Sequence, residues 1–283
     1  MKSSFPVVIR LCLCLVLSIL VACGGGHGGG GSGGNGNGNG NGSGNTNPPP
    51  PPPPPLPYEP TLYQAIYGGG SYSYTGQFYI TGAPDDTDWN RWGMLHDGST
   101  YRLYFMKEGA TDTLYQFAYN ASSADYEYGS NSITPIKLTN IPADADTSSF
   151  AMSNSKTGVS GSYYAHMKSK TNDALIYTFR FNGSVYAYER SYKITKAPAD
   201  TDWSRWAMLY GQSASRFYAG KTGDDSVIYQ FKYNPTTQSY EWGYNGAVGT
   251  IAVSNMPTDS ETADFSMLNN GSQYQFYYLN KQN

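Results

Sequence analysis

One eleven-residue pattern occurs four times in this chain, at residues 84–94, 142–152, 198–208 and 257–267. It reads Pro-x-Asp-x-acid-x-x-x-aromatic-small-Met and aligns without a gap, with a period of about 57 residues. Self-similarity at a fixed period is the mark of a repeat architecture, in which no unit buries its apolar face alone and each needs its neighbours.

Each period reads as short strands. In the first, Met94-Leu95-His96 is followed by a turn at Asp97-Gly98-Ser99, and residues 101–106 and 113–119 are aromatic-rich runs. Tyr126-Glu127-Tyr128 begins a further strand, and Ile136-Lys137-Leu138 leads into the next Pro. Aromatic and β-branched runs broken by Gly, Asn, Asp and Ser are strand and turn signals. Four strands per repeat is the unit of a propeller blade. The last repeat is cut short, since only residues 268–283 follow its motif. The missing pair stands at the front: residues 62–67 (Leu-Tyr-Gln-Ala-Ile-Tyr) match 114–119 and 228–233, and Phe78-Tyr79-Ile80 takes the outer-strand place. The expectation is an all-β, four-bladed β-propeller over residues 58–283, its ring closed by N-terminal strands that complete the last blade. Closure removes the sheet edges.

Composition narrows the function. Charged residues are 14% and the formal net charge is −3, which excludes a basic nucleic-acid-binding face. With three Cys and three His in all, neither a disulfide framework nor a multi-ligand zinc site is expected.

Residues 1–22 read as an export signal, with Lys2 and Arg10 ahead of an apolar run at 11–21 that is too short to span a bilayer. The run ends Leu20-Val21-Ala22-Cys23, which resembles the bacterial lipobox. That resemblance implies acyl chains on Cys23, cleavage before it and membrane attachment through the lipid. Gly24 in place of Asp points to the outer membrane. Cys12 and Cys14 leave with the signal, so the mature domain has no thiol for catalysis. Residues 23–57 form a tether: a Gly/Asn/Ser coil, then eight consecutive prolines at 48–55, a rod of about 25 Å at roughly 3.1 Å per residue.

The predicted ring resembles the hemopexin-like four-bladed propeller in architecture, with an inner strand of small residues opening each blade. The hemopexin repeat signature and the Cys pair joining first and last blades are absent, so haem binding is not carried over.

Features present in all four repeats read as packing: the Pro, the aromatic (Trp92, Phe150, Trp206, Phe265), the small residue and the Met. The acid pairs Asp86/Asp88, Asp144/Asp146, Asp200/Asp202 and Asp259/Glu261 also recur. They read as turn caps or as oxygen ligands for Ca²⁺, the one cofactor considered. Repeats 1 and 3 share Trp89/Trp203, Arg91/Arg205, Arg102/Arg216 and Lys107/Lys221, whereas the counterparts of the Trp and the first Arg are Thr147, Ser149, Thr262 and Asp264. Blades 2 and 4 are built without them, so Trp89, Arg91, Trp203, Arg205, Arg102 and Arg216 are the candidate ligand-binding residues. Trp, Tyr and Arg dominate binding hot spots. The 27 Tyr exceed what a modest core needs, so some are expected at the surface. The expected function is a non-catalytic, lectin-like or adhesive lipoprotein of the envelope. The alternative is a structural or assembly protein docking an envelope partner. A glycoside hydrolase is disfavoured because every carboxylate singled out is repeated.

Overall fold

A computed structural model describes residues 60–130, 135–155, 161–210, 214–246, 249–257 and 264–280. The fold is all-β, the described residues containing one three-residue 3₁₀ turn, Tyr244–Gly246, besides the strands. The strands fall within one compact unit, Pro55–Asn283. The predicted signal, Cys23 and the tether to residue 57 lie outside the described residues, as do Asp259 and Glu261.

Among the described residues the strands form four antiparallel meanders. The first runs through β3 (Thr87–His96), β4 (Tyr101–Lys107) and β5 (Thr113–Asn120), with two short outer strands, β6 (Asp125–Tyr128) and β7 (Ile136–Thr139), both paired to β5. The second is β8 (Ala151–Asn154), β9 (Tyr163–Lys168), β10 (Leu175–Phe181) and β11 (Val185–Thr195). The third is β12 (Thr201–Tyr210), β13 (Ser215–Lys221) and β14 (Asp224–Asn234), with outer strands β15 (Ser239–Trp242) and β16 (Thr250–Ser254). The fourth joins the ends of the chain: β17 (Phe265–Asn269) and β18 (Tyr274–Asn280) continue into β1 (Thr61–Gly68) and β2 (Ser71–Thr81). The N-terminal pair thus completes the C-terminal sheet. Successive meanders are also joined at their outer edges by short parallel pairs, β2–β6, β7–β11, β11–β15 and β16–β2.

The repeated motif builds the centre. Its aromatic and Met are buried in all four copies: Trp92, Phe150, Trp206 and Phe265 with Met94, Met152, Met208 and Met267. The small residue between them is where inner strands meet. A Cβ on Gly93 would lie 2.9 Å from Met152 Cγ and 3.1 Å from its backbone N, and at the same position Ser266 Oγ accepts from Met94 N at 2.9 Å. Ahead of the strand, Pro84 and Pro198 carbonyls accept from both the amide and the hydroxyl of Thr87 and Thr201.

The acids fold the turn. The first of each described pair accepts a tyrosine hydroxyl from the third strand of its own meander: Asp86 from Tyr115 at 2.6 Å, Asp144 from Tyr177 at 2.7 Å, Asp200 from Tyr229 at 2.8 Å. The second accepts the amide two residues on, as in Asp88–Asn90, Asp146–Ser148 and Asp202–Ser204, which is the Asx-turn geometry.

Candidate functional site: pockets at the four junctions

Wherever two meanders meet, a pocket opens, and the same six strand positions line it at every junction. From the leading meander come three residues: one on the second strand, the one two further along it, and the third-strand residue opposite. They are Arg102, Tyr104 and Gln116 at the first junction; Tyr164, His166 and Thr178 at the second; Arg216, Tyr218 and Gln230 at the third; Gln275, Tyr277 and Gln64 at the fourth. The following meander supplies one residue from each of its second, third and outer strands. These are Tyr163, Phe181 and Tyr186, then Ser215, Tyr233 and Tyr240, then Tyr274, Tyr67 and Tyr72, and finally Tyr101, Tyr119 and Tyr126. Strand alternation explains the set: positions two apart on one strand face the same way, and the cross-strand partner joins them.

The floor is a row of buried tyrosines, Tyr72, Tyr126, Tyr186 and Tyr240. Burial pushes their hydroxyls upward in pKa, so all are neutral. Tyr186 and Tyr104 share a hydrogen bond across their junction, as do Tyr126 and Tyr277. The rim is partly exposed aromatic rings, with Tyr192 and Tyr233 edge-to-face at 5.5 Å by the second pocket.

The four pockets differ in what the repeats place at the shared positions. The first encloses about 270 Å³. Its Arg102 Nε donates to Asp97 Oδ2 at 2.5 Å. Burial pushes the Asp97 carboxyl up, but the amides of Ser99 and Thr100 and the Arg102 guanidinium outweigh that and hold it at about 2. The second is the roomiest, about 410 Å³, because His166, Thr178 and Ser215 replace larger residues. His166 is sandwiched between Ser153 Oγ at 2.8 Å and Thr178 Oγ1 at 3.1 Å, and burial drops its pKa to about 3. The imidazole is therefore neutral, and no charged side chain among the described residues lines this pocket. The fourth, about 280 Å³, has its own polar groups bonded to each other: Gln64 to Tyr277 at 2.5 Å and Asn270 to Tyr101 at 2.8 Å.

The sequence-derived candidates separate into two sets. Arg102 and Arg216 line pockets. Trp89, Arg91, Trp203 and Arg205 line none of the four: the two tryptophans and Arg91 are half-buried and Arg205 is buried. The ladder slips between Asp88 and Trp92 and again between Asp202 and Trp206, leaving three residues in each bulge. Trp89 folds back edge-on to Phe105 at 4.8 Å, and Trp203 packs against Phe217. Arg91 binds Asp88 at 2.6 Å and donates to the carbonyls of Ala110, Thr147 and Lys107 at 2.9–3.0 Å. Its Thr147 bond crosses to the next repeat. Arg205 is buried over Gly220 and meets Asp225 at 2.5 Å.

The acids lie at the opposite end of the strands from the pockets: Asp86, Asp144 and Asp200 precede the inner strands, while the pockets draw on the ends where those strands finish. Among the described residues no three His, Cys, Asp or Glu side chains converge as a metal set, and the oxygens of Asp86, Asp88, Asp144, Asp146, Asp200 and Asp202 are engaged as described above. The six pocket positions were missed in the sequence save for the two arginines. The signal available was the recurrence of Tyr and Gln at equal offsets inside each repeat.

No family model matches the chain, and no curated protein does. Solved structures with a similar course of chain include AofleA from Arthrobotrys oligospora (10% identity, TM-score 0.33, 77% of this chain and 57% of that one). They also include an exo-beta-1,3-galactanase from Phanerochaete chrysosporium with galactose (12%, 0.37, 74% and 51%) and SapL1 lectin in complex with alpha methyl fucoside (12%, 0.32, 73% and 60%). The chain spans between half and two thirds of the length of these structures.

Proposed function

We propose that this chain is a non-catalytic, glycan-binding lipoprotein of the bacterial envelope, carried on a lipid at Cys23 by a long tether. Its folded part is a four-bladed β-propeller of tandem repeats that holds sugars in the pockets between blades. The observation that carries this reading is the sixfold lining common to all four junctions. Each pocket offers tyrosine rings for sugar C–H faces beside hydroxyl, amide or guanidinium groups for sugar hydroxyls. Small repeated sites on a rigid ring give avidity from weak individual contacts. Asp97 is the only carboxylate lining the four pockets among the described residues. Held at about 2 and bonded to Arg102, it is unsuited to general-acid work near neutral pH.

The test is a glycan array probed with the purified full chain, beside the variant Tyr192→Ala/Tyr233→Ala. Saturable binding that weakens in a still-folded variant supports the reading. No binding to any glycan overturns it and leaves docking to an envelope protein as the function to pursue.

A further inference from the structure

The third pocket differs from the first in charge, and the difference traces to two positions. Repeats 1 and 3 align at a constant offset of 114 residues, which superposes Arg102 on Arg216, Tyr104 on Tyr218 and Gln116 on Gln230. At the same offset Asp97, the partner of Arg102, falls on Gly211, and Ala118, which pairs with Arg102 across the ladder, falls on Lys232. Lys232 pairs with Arg216 in the same way. One carboxylate is lost and one ammonium gained beside an unchanged arginine. Among the described residues the pocket lining has two cations and no carboxylate, in a cavity of about 290 Å³.

Arg216 is held as a receptor would hold it. Its guanidinium lies 5.5 Å from the Tyr274 ring centroid and hydrogen-bonds the buried Tyr218 hydroxyl. Its Nε is buried without a hydrogen-bond partner among the described residues. Neither Arg216 nor Lys232 forms an ion pair among those residues. A buried guanidinium edge wants a charged acceptor, and planar carboxylate or sulfate oxygens match its geometry. The aromatic wall of Tyr67, Tyr72 and Tyr274 is the same sugar-facing surface as at the other junctions.

We infer that the pocket between the third and fourth meanders is a dedicated site for an acidic sugar, a ring bearing a carboxylate or sulfate group. Arg216 and Lys232 bind the anion, and Tyr67 and Tyr274 bind the ring. The inference rests on the glycan-binding reading above and gives one of the four pockets a different ligand class.

The experiment uses the full chain on an array of matched pairs, hexose against hexuronate and unsulfated against sulfated, followed by calorimetry of the best pair at low and high salt. The acidic member should bind at least tenfold more tightly than its neutral partner, with affinity falling as salt rises. Lys232→Ala installs the residue of the first pocket on a half-exposed strand position, and Arg216→Gln removes the guanidinium. Each should cut acidic binding at least tenfold and leave neutral glycans bound elsewhere on the ring unaffected. Melting curves identify any variant that has not folded, and Lys232→Ala keeps the test valid if Arg216→Gln fails. Preference for carboxylate over sulfate, or the reverse, would fix the source of the charge. Neutral glycans bound with no acidic preference, or an acidic preference untouched by Lys232→Ala, overturns this inference alone. Absence of any glycan binding overturns it together with the reading on which it rests.

Discussion

Lowering the pH from 7 to 5 should destabilise the folded ring through His166. Its imidazole sits between two hydroxyls and is held at about 3 by burial, against an ordinary value of 6.5. A base with a depressed folded pKa is neutral in the fold and takes up a proton on unfolding. Its contribution is therefore full above pH 6.5 and is lost as pH falls from there toward 3. Integrated from pH 7 to 5, the loss is about 2 kcal/mol at roughly 1.4 kcal/mol per unit. For a fold of this size that corresponds to about 4–8 °C in melting temperature. The carboxylates do not obscure this window. Asp97 and Glu241, both at about 2, lose their contributions only as pH falls below the ordinary carboxylate range. The assay is denaturant unfolding at pH 7, 6 and 5 for the wild type and His166→Gln, which keeps two polar contacts but cannot titrate. The variant should lack this part of the pH slope. Parallel slopes in the two proteins would refute the reasoning, because they would mean that His166 protonates inside the fold without penalty.

Gly93→Ala should destabilise by about 1–3 kcal/mol, read as a fall in the denaturant midpoint, because its Cβ would meet Met152 at 2.9 Å; Ala207→Gly at the equivalent position should cost no more than about 1 kcal/mol. Arg91→Met should cost roughly 2–4 kcal/mol by stranding three carbonyls and Asp88, with glycan affinity unchanged in calorimetry below the transition. Chelator should leave the melting temperature where it is, since the described acid pairs are already bonded to tyrosines and turn amides; a drop would restore Ca²⁺ to the acids. Deleting residues 58–81 should expose the β18 edge, seen as loss of a cooperative melt and as oligomers in size-exclusion chromatography.

Much of the chain course was legible because the repeat is its own alignment. The Pro-to-Met motif marks where each inner strand begins, and the match of 62–67 with 114–119 places β1 beside β18. The roles of Trp89 and Arg91 were not legible. They lie in a three-residue bulge, and a slip of the ladder leaves no trace in periodicity because the repeat itself stays in register. The pockets were hidden for a different reason. Each takes three residues from one repeat and three from the next, so no contiguous segment carries them. Only Arg102 and Arg216, which vary between repeats, stood out. His166 occupies the place held by Tyr104, Tyr218 and Tyr277 elsewhere, and a change of residue type at one copy of a repeat does not by itself announce a pocket.

The placement of β1 between β18 and β2 also sets a timetable. The hydrogen bond from Asn280 Nδ2 to Tyr63 joins residues 217 apart. Closing so long a loop costs little more in equilibrium stability than closing a shorter one, but contacts of such separation form slowly. The β1–β2 hairpin, first of the domain to emerge during synthesis, thus keeps its β1 edge unpaired until the last fifteen or so residues arrive. Throughout that interval this edge is open to wrong partners. The amino-terminal pair is the first part of the domain made and the last part finished, and maturation of the whole molecule is gated by its final strand.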